Sequence, residues 1–192
     1  MSLYQGHLRA VLDEIAGPSP APGAGAVSGI VTAMAAGLIA SAARRSADWD
    51  EARGVAAQAQ ALRSRVEKLA EANEEAYLEA LALIEGAAED GGRDAAIGKA
   101  LDTAAELPLS IAECAYDVAL LGAEAAQHAV PGGAEDAAAA ALLAEAAARA
   151  AAGLVAANLV SMPGDERVEQ AHRLAAAATD AARRAVAASV AR

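Results

Sequence analysis

The sequence predicts an all-α fold, a multihelical bundle of six or seven helices around a buried Ala/Gly-rich central helix. Three observations lead there. About a third of the 192 residues are alanine; hydrophobic residues reach 56% while aromatics are only 2%, with no Phe. Alanine is the best helix former, and the residues that favour strands are scarce. Apolar residues recur at spacings of three and four between Gly- and Pro-containing breaks, the period of helices. Finally, the stretch from Ala24 to Ala43 carries no charged side chain, and Val27, Ile30, Val31, Met34, Leu38 and Ile39 are spread around its helical wheel. A helix apolar on all sides lies inside a protein or crosses a membrane.

The length of that stretch fits a membrane span of about 20 residues. Its Ala, Gly, Ser and Thr content fits a core helix better, because these residues allow close packing and give little transfer energy each. No aromatic residue flanks its N-terminal end, and only Trp49 lies beyond the other. We therefore expect no membrane association.

In chain order, residues 3 to 16 read as an amphipathic helix with Leu8, Val11, Leu12 and Ile15 on one side, ended by Gly17. Pro18, Pro20 and Pro22 keep the next segment extended. Gly23 and Gly25 then open the central helix, which runs to about Ser46. These glycines either permit a tight turn or let an anion or polar ring approach the free N–H groups of the helix start. A third helix spans roughly 50 to 88, capped by Asp48 or Asp50. It carries the stripe Leu62, Val66, Leu69, Asn73, Ala76, Ala80 and Leu83, at the spacing of a bundle seam. Asn73 is polar on that line. It either satisfies another helix or fixes register, or it faces a ligand pocket. Tyr77 lies one turn on. Glu71, Glu74, Glu75 and Glu79 read as a solvated face.

Gly91 and Gly92 break the chain. A short helix is expected over 94–104, followed by a separate helix that starts at Pro108, since proline is tolerated in a first turn, and ends near His128. Ile111, Ala115, Val118 and Gly122 form its apolar line. After Pro131-Gly132-Gly133 a long Ala-rich helix runs to Met162-Pro163-Gly164. Glu135 and Asp136 at its start suit the helix dipole. Asp165 caps the last helix, which turns Val168, Leu174, Ala178, Ala182 and Val186 inward. We read 1–192 as one domain.

The net charge of −11 excludes general nucleic-acid binding, which needs a basic surface. The single Cys114 excludes an internal disulfide and reads as a buried thiol. His7, His128 and His172 have no metal-ligand spacing, so no metal is expected. Arg9, Asp13 and Glu14 interrupt the N-terminal helix and deny it a signal core, which points to the cytoplasm.

Four elements in order carry a resemblance. They are Ser19-Pro20-Ala21-Pro22-Gly23-Ala24-Gly25-Ala26, Asn73-Glu74-Glu75-Ala76-Tyr77, Pro108-Leu109, and Glu135-Asp136 followed by Ala140-Ala141-Leu142-Leu143-Ala144-Glu145-Ala146-Ala147; Asn158-Leu159 then closes the helix. In this order the chain resembles the formiminotetrahydrofolate cyclodeaminase and methenyltetrahydrofolate cyclohydrolase family. The resemblance implies an all-helical homodimer with a tetrahydrofolate derivative as substrate and no further cofactor. It implies Asp136 as the catalytic proton carrier, and Pro22, Gly23, Ala24, Gly25, Ala26, Asn73, Tyr77 and Asn158 as substrate-binding positions. The family chemistry either cyclises a formimino-folate with loss of ammonia or opens a methenyl bridge with water. This sequence departs from the family pattern at Ala24, where the family has a glycine, and at Ala26, Asn73, Glu135 and Leu154, each a lost or altered polar group. That motivates an alternative, a non-catalytic dimeric helical module of the same fold that binds another small molecule or a protein.

Two constraints accompany the resemblance. Asp136 and Asn158 are about 33 Å apart along one straight helix, so they serve opposite ends of a long ligand or a site completed by a partner subunit. Folate carboxylates also need local cations, for which Arg44, Arg45, Lys99 and Arg149 are the candidates.

Overall fold

The computed structural model describes residues 7–19, 22–86, 93–160 and 162–191. Among them are six helices and no strand: α1 (His7–Ile15), α2 (Ala24–Arg45), α3 (Ala52–Glu85), α4 (Arg93–His128), α5 (Gly133–Asn158) and α6 (Glu166–Val190). The expected extension of the first helix to residue 3, the break at Gly91-Gly92, and Pro20 with Ala21 of the proline segment lie outside the described residues.

Small side chains set how close the helices come. α2 lies between α3 and α5 and touches α4. A Cβ added at Gly29 would stand 2.7 Å from the Ala70 Cβ of α3. One added at Gly122 of α4 would stand 2.9 Å from the Ala141 Cβ of α5. Both are closer than carbon atoms pack, so any residue larger than glycine would push the helices apart. The core is correspondingly thin-walled: Ala35, Ala36, Ile39, Ala43, Val118, Ala126, Ala137, Ala141 and Ala148 are all fully buried. The buried hydroxyls of α2 bond to their own helix, Thr32 Oγ1 to the Ser28 carbonyl at 2.8 Å and Ser46 Oγ to the Ala42 carbonyl at 2.8 Å. Ser46 Oγ also accepts the Val130 N–H at 3.0 Å and so fixes the α4–α5 turn to the end of α2. Beside it, Trp49 stacks on His128 with ring centroids 5.4 Å apart.

The two apolar helices long enough to cross a membrane, α2 and α5, have about half or more of their apolar windows buried in this bundle. They are core helices. α2 is nevertheless not covered on every side, as its wheel predicts. Met34 is 59% exposed, with Ile30 and Gly37 part-exposed on the same stripe.

Four features differ from the sequence reading. α3 starts with Glu51 as N-cap and no side-chain cap bond, so neither Asp48 nor Asp50 caps it. Val186 is 37% exposed rather than inward. α1 buries no residue, although its stripe is amphipathic; Leu8 and Leu12 are both more than 40% exposed. The largest difference is α4. The expected short helix and the Pro108-initiated helix are one helix, with Pro108 buried inside it. Proline lacks an N–H and would leave the carbonyl of residue 104 without its helical partner. Asn158 supplies the missing donor: its Nδ2 bonds to the Ala104 carbonyl at 2.8 Å. The tolerance for a mid-helix proline therefore comes from 50 residues further along the chain, where local sequence rules do not reach.

Asp165 caps α6 as expected, accepting the Arg167 N–H at 2.9 Å. Arg167 also reaches Asp102 of α4 at 2.5 Å, which joins the two helices. The hydrogen bonds from Arg167 hold the Asp165 carboxyl down to about 2.

Two outcomes follow from these contacts. Asn158→Ala should lower stability by about 1 kcal/mol in urea titrations, and by clearly less in a Pro108→Ala background, where the restored N–H serves Ala104. Equal costs in both backgrounds would contradict the repair. Because the folded Asp165 titrates below an unfolded aspartate near 3.9, its contribution is intact above about pH 4 and is lost as pH falls towards 2. The urea midpoint of Asp165→Asn should fall less steeply over that window than that of the parent chain; parallel profiles would remove Asp165 from the acid sensitivity.

Candidate functional site

The N-terminal end of α2 is built to leave backbone groups free. Gly23 is the N-cap and offers no side-chain cap bond. The first intrahelical bond of this end is Val27 N–H to the Gly23 carbonyl at 3.1 Å. The N–H groups of Ala24, Gly25 and Ala26 precede it and have no carbonyl within the helix.

Asn73 lies directly behind this turn. A Cβ on Gly25 would fall 1.8 Å from Asn73 Oδ1, so glycine is required for the Asn73 side chain to lie where it does. Asn73 is 8% exposed. Among the described residues its amide has no hydrogen-bond partner, a costly state for a buried polar group. The structure thus brings together Gly25 and Asn73, two positions singled out in the sequence. Tyr77, one turn further along α3, is 44% exposed.

A slot opens between α1 and the α2/α3 face beside this turn, with a cavity of about 530 Å³. Its floor is apolar: Pro22, Ala26, Ile30 and Met34, with Ala70 from α3. Its wall is acidic, with Glu67, Glu71 and Glu74 from α3 and Glu14 from α1. Arg63 is its one cation among the described residues, bonded to Glu67 at 2.8 Å. Sequence reasoning missed Arg63 and Glu67 and assigned Glu71 and Glu74 to solvent. The available signal was the line 63, 67, 70, 74, a helical stripe about 100° round α3 from the buried seam.

Other predicted positions lie elsewhere. Asp136 sits in the first turn of α5 and pairs with Arg45 at the opposite end of α2. Twenty residues of helix, about 30 Å, separate that pair from Gly25 within one chain. Glu135 caps α5, accepting the Gly132 N–H at 2.6 Å. Asn158 is engaged with Ala104. Of the four cations expected near folate carboxylates none lines the slot: Arg45 is paired with Asp136, Arg149 with Glu145, and Arg44 lines a different cavity. Cys114 is buried, and desolvation raises its thiol pKa, as suits an inert core residue. Among the described residues no group of three or more His, Cys, Asp or Glu is placed to hold a metal.

The fold and slot define an all-helical protein with a ligand-sized cavity at a glycine-started helix. The family model of formiminotransferase-cyclodeaminase matches residues 7–183, and the chain belongs to that family. Its fold is similar to the crystal structure of formiminotetrahydrofolate cyclodeaminase from Thermotoga maritima, with a TM-score of 0.84 and 21% identity over 97% of each chain. At that identity the likeness speaks for the fold. No curated protein sequence matches.

Gly25→Ala should force the Asn73 amide out of its place and lower stability by about 1–3 kcal/mol. Gly25→Ala combined with Asn73→Ala should recover part of that loss. Calorimetric melting of the three variants decides this; additive losses would mean that Gly25 and Asn73 are not in contact.

Proposed function

We propose that the protein is a folate one-carbon enzyme of cyclodeaminase or cyclohydrolase type, acting on the formimino or methenyl bridge of tetrahydrofolate. Family membership supports the class. The observation that carries the reading to this chain is the acidic, apolar-floored slot at the free N-terminus of α2. Its volume falls within the range of small-molecule sites. The methenyl bridge and a protonated formimino group are both amidinium-like cations, which the carboxylates Glu67, Glu71 and Glu74 would favour. Free N–H groups at Ala24 to Ala26 suit ring carbonyl or carboxylate oxygens.

In the cyclisation, N10 attacks the formimino carbon, the carbon–ammonia bond breaks, and one proton passes from N10 to the leaving nitrogen. In the hydrolysis, water adds to the methenyl carbon and gives up one proton, which leaves to solvent, a carbon–nitrogen bond opens, and the second proton passes to the freed nitrogen. Both need one group that accepts and returns a proton. We assign that role to Asp136, in a site completed by a partner subunit because it stands about 30 Å from Gly25 within one chain, with Asn73, Tyr77, the Pro22–Ala26 segment and Asn158 as substrate contacts. No cofactor beyond the folate is needed for either step.

A second reading, a binding module of the same fold without turnover, is motivated by Asn73, which is an amide where the family pattern has a carboxylate. The near-ultraviolet absorbance of methenyltetrahydrofolate, followed with and without the protein, separates the two. Enzyme-dependent decay, lost by at least about a hundredfold in Asp136→Asn with helicity unchanged, is the expected result. No acceleration, and no ammonia from formiminotetrahydrofolate, would leave the binding module.

A further inference from the structure

The first turn of α2 and the seam of α3 hold polar groups that the chain itself leaves unpaired. Gly25 and Ala26 are buried, and their N–H groups precede the first intrahelical bond of α2. The Asn73 amide lies against Gly25, is 8% exposed, and has no hydrogen-bond partner among the described residues. Ser28, one turn along α2, spends its hydroxyl on the Ala24 carbonyl at 2.7 Å. Buried polar groups in native chains have partners, so each of these calls for one. The slot ends beside them: Ala26, next to Gly25, and Ala70 and Glu74, either side of Asn73 on α3, all line it.

These groups define their own complement. The α2 turn offers donors alone. The Asn73 amide offers an acceptor, Oδ1, and a donor, Nδ2. A carboxylate ligand would satisfy the donors and leave Oδ1 facing another acceptor. A cation would satisfy Oδ1 and meet the positive end of the α2 dipole. A cyclic amide satisfies both sides: its C=O accepts from the α2 N–H groups and Nδ2, and its N–H donates to Oδ1.

We infer that Asn73 and the first turn of α2 read the lactam edge of a ligand ring, and that Asn73 makes this site select a 4-oxo over a 4-amino pteridine. The naming of the ring rests on the folate reading; the amide complementarity does not. In a pterin that edge is the 4-oxo, N3–H side. N5, one end of the one-carbon bridge, is the ring position next to the 4-oxo group. A ring held this way therefore brings its cationic bridge to the end of the slot that Glu71 and Glu74 line. A carboxylate at position 73, as in the family pattern, would offer acceptors alone and favour a ring edge made of donors. The amide is the feature that sets the preference of this chain.

The test uses the full chain and two ring fragments that differ only at position 4, 6-hydroxymethylpterin and 2,4-diamino-6-hydroxymethylpteridine. Proton–nitrogen correlation spectra follow the Asn73 side-chain amide, assigned by its loss in Asn73→Leu. The pterin should shift that signal and the Gly25 and Ala26 amides, and should bind at least about tenfold tighter than the diamino ring. Asn73→Leu should lose this preference while melting no lower than the parent chain, because it removes an unpaired buried amide. Asn73→Asp, which keeps the shape and exchanges the donor for an acceptor, should favour the diamino ring, whose protonated edge is all donors. Equal responses to the two rings, no response to either, or an Asn73→Leu chain that melts lower and still prefers the pterin overturns the inference. Methenyltetrahydrofolate turnover separates it from the folate reading. Turnover with Asn73 indifferent to the pterin overturns the lactam contact and leaves that reading; pterin selection without turnover contradicts the reading and leaves the contact.

Discussion

The structure depends on helices packed at the distance that glycine and alanine allow. Gly29 against Ala70 and Gly122 against Ala141 set the separation of α2 from α3 and of α4 from α5. Side chains this thin stabilise little by burial individually, since the hydrophobic gain scales with apolar area. They stabilise together because the helices are long and their contacts continuous. The same closeness leaves little room for a ligand inside the bundle. The cavities accordingly lie on the surface of the bundle, two of them on the outer face of α2 and α3 and others between α3 and α4 and between α5 and α6.

Polar groups are handled locally where possible. Ser28, Thr32 and Ser46 turn their hydroxyls onto carbonyls one turn back in α2. Two asparagines are the informative cases. Asn158 closes an account opened by Pro108 in another helix, and its family position near the end of α5 is explained by backbone chemistry before any ligand is invoked. Asn73 has no such partner. It lies buried behind the free N-terminus of α2, which makes that turn the place where an incoming polar group would recover the most.

The fold was legible because alanine content, the charge-free central stretch and Gly/Pro breaks all point to the same answer. The α6 cap at Asp165 and the buried Cys114 were readable for the same local reasons. The continuity of α4 was not, because proline rules are local and Asn158 is remote. The candidate site was legible in part. The glycine pattern located the turn, and the polar seam position located Asn73. The acidic wall escaped because glutamates on a long helix look like a solvated face until α1 and α2 are placed beside them. The cation at Arg63 escaped because its role depends on which α3 face borders the slot; Arg45, a candidate for the folate carboxylates, is paired with Asp136.

In the proposed function the slot at the glycine end of α2 receives the folate. Hydrogen–deuterium exchange with and without 5-formyltetrahydrofolate, a stable analogue, tests it most directly. Slowed exchange confined to α1, the first turns of α2 and residues 63–77 of α3, with α6 unchanged, is the expected result. Protection that spares these segments, or none at saturating ligand, would contradict it.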